Sequence, residues 1–281
     1  MLDWENAPSA AETTDGIGIR RQDPIVEVIL SRPRVKNALD LAGWQRLAVV
    51  FEELAAVDDS IVIVLRGAAG NLSVGSDISQ FPDHRTGMVL ADEYNAAIDA
   101  ALVAVAEIPH PVIAMISGLA VGGGCELACA ADLRVAAADA RFGVPIARLG
   151  VSIGAVEART LLRVLTPARL KDLLLSGRMI DAEEARRIGL VDRVVPSARL
   201  GSATRELAMT VADGAPLAAR ANKLTVNAVA DDALDAAGAR IRELTTAIYE
   251  GQDLQEGIRA FVEKRPARFG RAGSATPDDR G

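Results

Sequence analysis

The stretch GLAVGGGCELA, residues 118–128, sets four glycines just ahead of one carboxylate, Glu126. Clustered glycine is kept where backbone must turn sharply or come close to another group. A second glycine loop, GNLSVGSD (70–77), shares the arrangement. An apolar run precedes each loop, and each can present free backbone N–H groups near a developing helix. Two convergent N–H donors suit a carbonyl oxygen that is gaining negative charge, each lowering a barrier by on the order of 3 kcal/mol. Beside such an oxygen, Glu126 would transfer the proton of the neighbouring carbon. The alternative is tight strand–helix packing, with Glu126 a solvated first-turn acid favoured by the helix dipole. The residues alone leave both readings open.

Other chemistries fail on the same residues. The 70–77 loop has the spacing of a phosphate-binding loop but lacks its lysine and carries Asp77 after Ser76. GLAVGGGCE is not a dinucleotide fingerprint. A serine hydrolase would need G-x-S-x-G, which is absent, and His110 is locked between Pro109 and Pro111. Cys125 and Cys129 sit four apart on one face of an expected helix, as in a reduced compartment. His84 and His110 are the only histidines, too few ligands for a metal site.

The elements that must position these loops follow from periodicity. Residues 25–30 (IVEVIL), 61–67 (IVIVLRG) and 112–117 (VIAMIS) read as strands, with 133–137 (LRVAA) a weaker one. Leu41, Trp44, Leu47, Phe51 and Leu54 share one face of a helix over 41–57. Helices are also expected over 91–108 and 181–189, the latter with Asp181 and Glu184 spaced as a capping box and Gly189 as a stop. After about residue 197 strands give way to helices, the first opened by Pro216. The order predicts an α/β core followed by a C-terminal helical module. Residues 1–18 and 270–281 are polar and read as tails.

Composition narrows the partners. The 281 residues are 50% hydrophobic but only 3% aromatic, so aliphatic side chains must build the core. A formal charge of −7 argues against nucleic acid, which needs an extended basic surface, yet leaves room for a local basic patch. The apolar stretch 111–125 is too short and glycine-rich to span a membrane. The acidic, polar start has no leader character, and a cytoplasmic location is expected.

Several segments in order resemble one family. SRPRVKNALD (31–40), SVGSDI (73–78), the run 110–145, SGRMIDAEEARRIGLVDRVVP (176–196) and FVEKRPARF (261–269) are similar to the crotonases, the enoyl-CoA hydratase/isomerase superfamily. The resemblance implies a spiral of repeated β-β-α units over 19–197 and a helical oligomerisation module over 198–269, giving a homotrimer or a dimer of trimers. It implies a coenzyme A thioester as substrate, with no tightly bound cofactor and no metal. The thioester oxygen would accept from the N–H groups of Ser76 and Gly123. Arg34, Val35 and Lys36 match the strip along the CoA, with Ser76, Asp77 and Ile78 nearby and Phe261 and Lys264 as a C-terminal contact. Gly122, Gly123 and Ile146 would border the acyl group. These cations supply the local patch for a polyanionic ligand.

One departure bears on the reaction. The hydratases of the family set two glutamates about one water, and Glu126 occupies the first position. The second follows the proline of FGVPIARLG (142–150), where this chain has Ile146, which transfers no proton. Glu157, Asp77, Arg148 and His84 are candidate replacements without a spacing argument. Asp77 is expected to support its loop, Asp132 to bond in the core, and Glu157 to lie on the exposed face of a helix over 155–165. The expected activity is of the hydratase/isomerase type with Glu126 as acid/base. A decarboxylase or isomerase using Glu126 alone, or a non-catalytic acyl-CoA-binding oligomer, is the alternative.

Overall fold

The computed structural model describes residues 13–57 and 61–270. Among these, seven strands form the larger sheet. They are β1 (Thr13–Thr14), β2 (Ile17–Gln22), β3 (Ile25–Leu30), β4 (Val62–Gly67), β5 (Val112–Ile116), β7 (Leu133–Ala137) and β10 (Arg193–Val195), and they lie in that order. The β1–β2–β3 edge is antiparallel, and every pairing from β3 to β10 is parallel. Parallel strands are covered on both faces and read as continuous apolar runs. Alternation nevertheless divides them. Val26, Val28, Leu30, Ile63 and Leu65 enter one core, while Ile25, Val62, Val64, Ile113 and Met115 enter a second.

A smaller row of extended segments stacks beside this sheet. It holds β6 (Leu119–Val121), β8 (Arg141–Gly143) and β9 (Ile180–Asp181), continued by single parallel bridges Ser73–Ala120 and Leu39–Ser76. Each turn of the chain therefore gives a strand to the large sheet, a short segment to the small row, and then a helix. The first turn closes with α1 (Leu41–Ala55), and the second with α2 (Phe81–His84) and α3 (Met88–Glu107). The third closes with α4 (Gly123–Ala130), and the fourth leads through β8 to α5 (Ala155–Leu162). This is the expected spiral of β-β-α units.

Helix α1 starts where Asp40 accepts the Gly43 N–H at 2.8 Å, and it buries Trp44, Leu47, Phe51 and Leu54 in the first core. Full burial of each such side chain contributes about 1.5–3 kcal/mol. Beyond α5 run α6 (Pro167–Ser176) and α7 (Ala182–Arg187), the latter capped by Asp181, which accepts the Glu184 N–H at 2.8 Å.

Three expectations need adjusting. Residues 13–18, read as part of a tail, lie in β1 and β2 and the turn between them, while 1–12 and 271–281 fall outside the described residues. Helix α8 (Leu200–Ala212) belongs to the core, because Leu200, Leu207, Ala208 and Ala212 close the second apolar cluster over the sheet. The separate helical module is thus α9 (Pro216–Ala230), α10 (Leu234–Glu250) and α11 (Gln252–Glu263). Lys223 of α9 ties it down, donating to Asp132 at 2.8 Å, and Asp132 also accepts the Val112 N–H at 2.7 Å. The anticipated core role of Asp132 is met there. Finally, helix α5 buries Glu157, contrary to the expected exposed face.

Candidate active site

The two glycine loops occupy neighbouring turns of the spiral. Ser73 donates its N–H to Leu119 at 3.0 Å and accepts that of Val121 at 3.0 Å, fixing a parallel register with Ala120. Three residues further on in each turn stand Ser76 and Gly123. Their closeness excludes side chains. Gly75 has φ +83, and a Cβ there would fall 2.6 Å from the Gly123 nitrogen. A Cβ on Gly123 would meet the Trp44 ring at 2.8 Å. The same fully buried Trp44 donates Nε1–H to the Ser76 hydroxyl at 3.2 Å, so one indole supports both loops.

Leu39 bonds the residues on either side of Ser76, donating to the Gly75 carbonyl at 2.8 Å and accepting from Asp77 at 2.7 Å. Among the described residues, no protein acceptor takes the N–H of Ser76 or of Gly123. Both residues line one cavity together with Gly122, Glu126, Ile146 and Glu157. Two unengaged donors at the wall of an apolar cavity can bind a carbonyl oxygen and strengthen as its charge grows.

Glu126 lies in the first turn of α4 and is 4% exposed. Burial pushes its carboxyl up to about 8, reinforced by the charges of Glu157 and Cys129 and opposed by Arg85. It is therefore a proton-bearing acid near neutrality, suited to proton transfer at carbon. Glu157, 8% exposed, directs Oε2 to the Gly154 N–H at the start of α5. Burial raises its carboxyl as well, while that N–H pulls the other way. Arg85 enters the same cavity, its guanidinium 4.9 Å from the Phe81 ring centroid and 5.3 Å from that of Tyr94. Asn95 accepts its Nη2–H at 2.7 Å.

The other expected replacements for the second glutamate go elsewhere. Asp77 accepts the Ser79 hydroxyl at 2.6 Å, the main cause of a carboxyl held below the usual range, and also pairs with Arg32 at 3.1 Å. It supports the loop, as anticipated. His84 is exposed, and Arg148, exposed as well, lies against Gly177. Cys125 and Cys129 are free, buried thiols of α4 itself. His110 is buried against the Val57 carbonyl at 3.1 Å.

Arg34, Val35 and Lys36 form an exposed turn. The Lys36 carbonyl accepts the Val74 N–H at 3.2 Å, so the turn is joined to the loop that carries Ser76. Ile78, 51% exposed, stands at the cavity rim. Phe261 and Lys264 are not brought to this cavity within the chain. Phe261 is 85% exposed and lines a separate apolar groove between α9, α10 and α11. Sequence reasoning missed Arg85, which offers no motif, and the burial of Glu157, which shares its helix face with the buried Thr160 and Leu161.

Comparison with known proteins agrees with this architecture. The family profile described as Enoyl-CoA hydratase/isomerase matches residues 20–272. A probable enoyl-CoA hydratase of Mycobacterium tuberculosis is 35% identical over 92% of this chain and 98% of its own. The 2,3-dehydroadipyl-CoA hydratase of Escherichia coli is 35% identical over 89% of this chain and 97% of its own. The crystal structure of an enoyl-CoA hydratase/carnithine racemase from Magnetospirillum magneticum superposes with a TM-score of 0.86 at 38% identity, covering 92% and 96% of the two chains. With the spiral, the paired glycine loops and the profile in agreement, the chain belongs to the enoyl-CoA hydratase/isomerase family, the crotonases.

Proposed function

We propose that the protein turns over a 2-enoyl thioester of coenzyme A, holding the thioester oxygen on the N–H groups of Ser76 and Gly123. When a nucleophile adds at C3, the C2=C3 electrons move toward C1 and the oxygen becomes an enolate. The donors strengthen as that charge grows, and the carboxylic acid of Glu126 delivers its proton to C2. The observation carrying this reading is the pair of N–H groups that no acceptor among the described residues takes, set beside a buried acid in one cavity.

Arg34 and Lys36 sit outside the cavity on the turn bonded to its entrance loop, where they would meet the CoA phosphates. Asp77 keeps that loop in shape, and Ile78 and Val35 present apolar surface to the ligand. Gly122, Gly123 and Ile146 border the acyl group. A homotrimer, alone or paired into a dimer of trimers, fits the module α9–α11, which exposes Val226, Tyr249, Ile258, Phe261 and Val262. Phe261 and Lys264 would then act at a subunit boundary. Among the described residues no helix is long and apolar enough to cross a membrane; the reading places the enzyme in the cytoplasm.

Ile146 favours a second reading, in which Glu126 works alone as the acid of a decarboxylase or the base of an isomerase, or the oligomer binds acyl-CoA without turning it over. Incubation with crotonyl-CoA in D2O, followed by mass spectrometry, separates these. Addition of one water with deuterium at C2 is the expected result. No addition above the blank would exclude hydration and leave decarboxylation, isomerisation or binding.

A further inference from the structure

We infer that Glu157 is a second catalytic carboxylate of this site, taking the proton of the attacking water from the N-terminus of α5. The inference rests on the assignment of Ser76, Gly123 and Glu126 above. Position 146 is occupied by isoleucine, whose side chain lines the cavity and packs against the first core. Hydration then lacks a group to receive the proton that water loses on attacking C3. Glu157 lines the same cavity from another element.

Three observations suit it to that role. It is nearly as buried as Glu126, so its carboxyl works in a medium of low polarity. One oxygen is fixed, because the Gly154 N–H donates to Oε2, which leaves Oε1 as the basic atom. That N–H and the helix terminus favour the carboxylate form. The charge of Glu157 is also, after burial, the largest cause of the raised carboxyl at Glu126, which puts the two within electrostatic reach. Groups facing the pair are Asp99 on α3, Arg85 at the end of α2, Cys129 on α4, and Arg159, which faces Asp99. Burial raises both carboxyls, but the Glu157 charge raises Glu126 further while the Gly154 N–H holds Glu157 back, so Glu126 is the one suited to act as acid and Glu157 the one suited to act as base.

The proton balance closes. Water oxygen bonds to C3 and its proton passes to Glu157 Oε1. The π electrons reach the thioester oxygen as an enolate, then return to form the C2–H bond with the proton from Glu126. The product is the 3-hydroxyacyl thioester. Glu157 is left neutral and Glu126 ionised, and the next water entering the emptied cavity relays the proton back.

The test compares wild type with Glu157→Gln, whose amide oxygen still accepts from Gly154 and so preserves the cap. Two rates are read: hydration over a panel of 2-enoyl-CoA thioesters, and C2 proton exchange of butyryl-CoA in D2O, which needs the oxyanion donors and Glu126. Hydration should fall on the order of 100-fold or more in the variant, exchange far less, and the acidic limb of the pH–kcat profile should vanish. Adding Ile146→Glu to the variant should restore part of the hydration, which a merely structural role for Glu157 does not predict. Hydration by Glu157→Gln within about threefold of wild type would overturn the inference. So would a wild-type enzyme that exchanges C2 protons and hydrates no member of the panel. A wild type that does neither would instead refute the underlying assignment of Ser76, Gly123 and Glu126, and this inference with it.

Discussion

Replacing Glu126 by glutamine should abolish activity and strengthen the fold, and the gain should depend on pH in a defined way. The carboxyl titrates near 4.5 in the unfolded chain and near 8 in the folded one, chiefly because burial disfavours its charge. An acid raised on folding leaves the fold unaffected below the unfolded value, where both states hold the proton. Between the two values the folded state must keep a proton that the unfolded chain releases, and stability falls by about 1.4 kcal/mol per pH unit. Above the folded value the loss levels off at about 5 kcal/mol, with about 3 kcal/mol already present at pH 7. Glutamine has the same shape, is always neutral, and breaks no bond, since hydrogen bonding is not among the influences on the Glu126 carboxyl. Urea unfolding of both proteins at one protein concentration, from about pH 5 to pH 9, isolates the difference. The two stabilities should nearly meet at the acid end and diverge steadily with rising pH. Parallel curves would show that Glu126 is not held in a charge-excluding site, and the argument for a neutral acid beside the enolate would fail.

Three further outcomes follow from the geometry. Gly123→Ala places a Cβ 2.8 Å from the Trp44 ring, so the N–H must shift; kcat should drop on the order of 100-fold, and a kcat near wild type would remove Gly123 from the oxyanion site. Arg34→Ala combined with Lys36→Ala removes two exposed cations worth up to about 1 kcal/mol each. KM for an acyl-CoA should then rise roughly tenfold while KM for the matching acyl-pantetheine stays put; equal shifts for both thioesters would contradict phosphate contact. Lys223→Met leaves the Asp132 carboxylate without its cation, and the lost charge-assisted bond should cost about 2 kcal/mol. Limited proteolysis should then cut between α8 and α9 faster than in wild type, and an unchanged cleavage rate would mean that other contacts hold the module.

The long elements were legible because their periods repeat. Five apolar positions on α1, the apolar run of β5, and the runs of β3 and β4, broken only by the paired Glu27 and Arg66 and the closing Gly67, leave little choice. The small row was not, because Leu119–Val121 and Arg141–Gly143 are three residues each and pair only with other turns of the chain. No period can be read from three residues. Polar, glycine-containing IGIRRQ likewise hid β2, an antiparallel strand near the sheet edge whose outer side needs no apolar residues. At the site, glycine betrayed both loops, since the close approach of Gly75 to Gly123 admits nothing else. The spiral itself came from resemblance, because alternating strands and helices alone suggest an ordinary open sheet. The burial of Glu157 could not be had from α5 in isolation. Which face of that helix is covered depends on how α3 and α4 pack against it, and those contacts join residues far apart in the chain.

The register of Ser73 with Ala120 has a consequence for how such a site can change. Neighbouring strands in a row stand ~4.8 Å apart, and Ser76 and Gly123 lie equally far past that bridge. An oxygen ~2.9 Å from each of two nitrogens at that spacing sees them at an angle of about 110°, close to the directions of its two lone pairs. In the proposed assignment the bite of the anion hole would thus be set by the pitch of the winding, a property of the main chain that side-chain substitution hardly touches. Carboxylates around it hang from individual helices and turns and can be exchanged one at a time. A lineage could therefore move its proton-handling groups from one wall to another while the proposed grip on the enolate stays the same, and Ile146 and Glu157 lining one cavity is what such a relocation would leave behind.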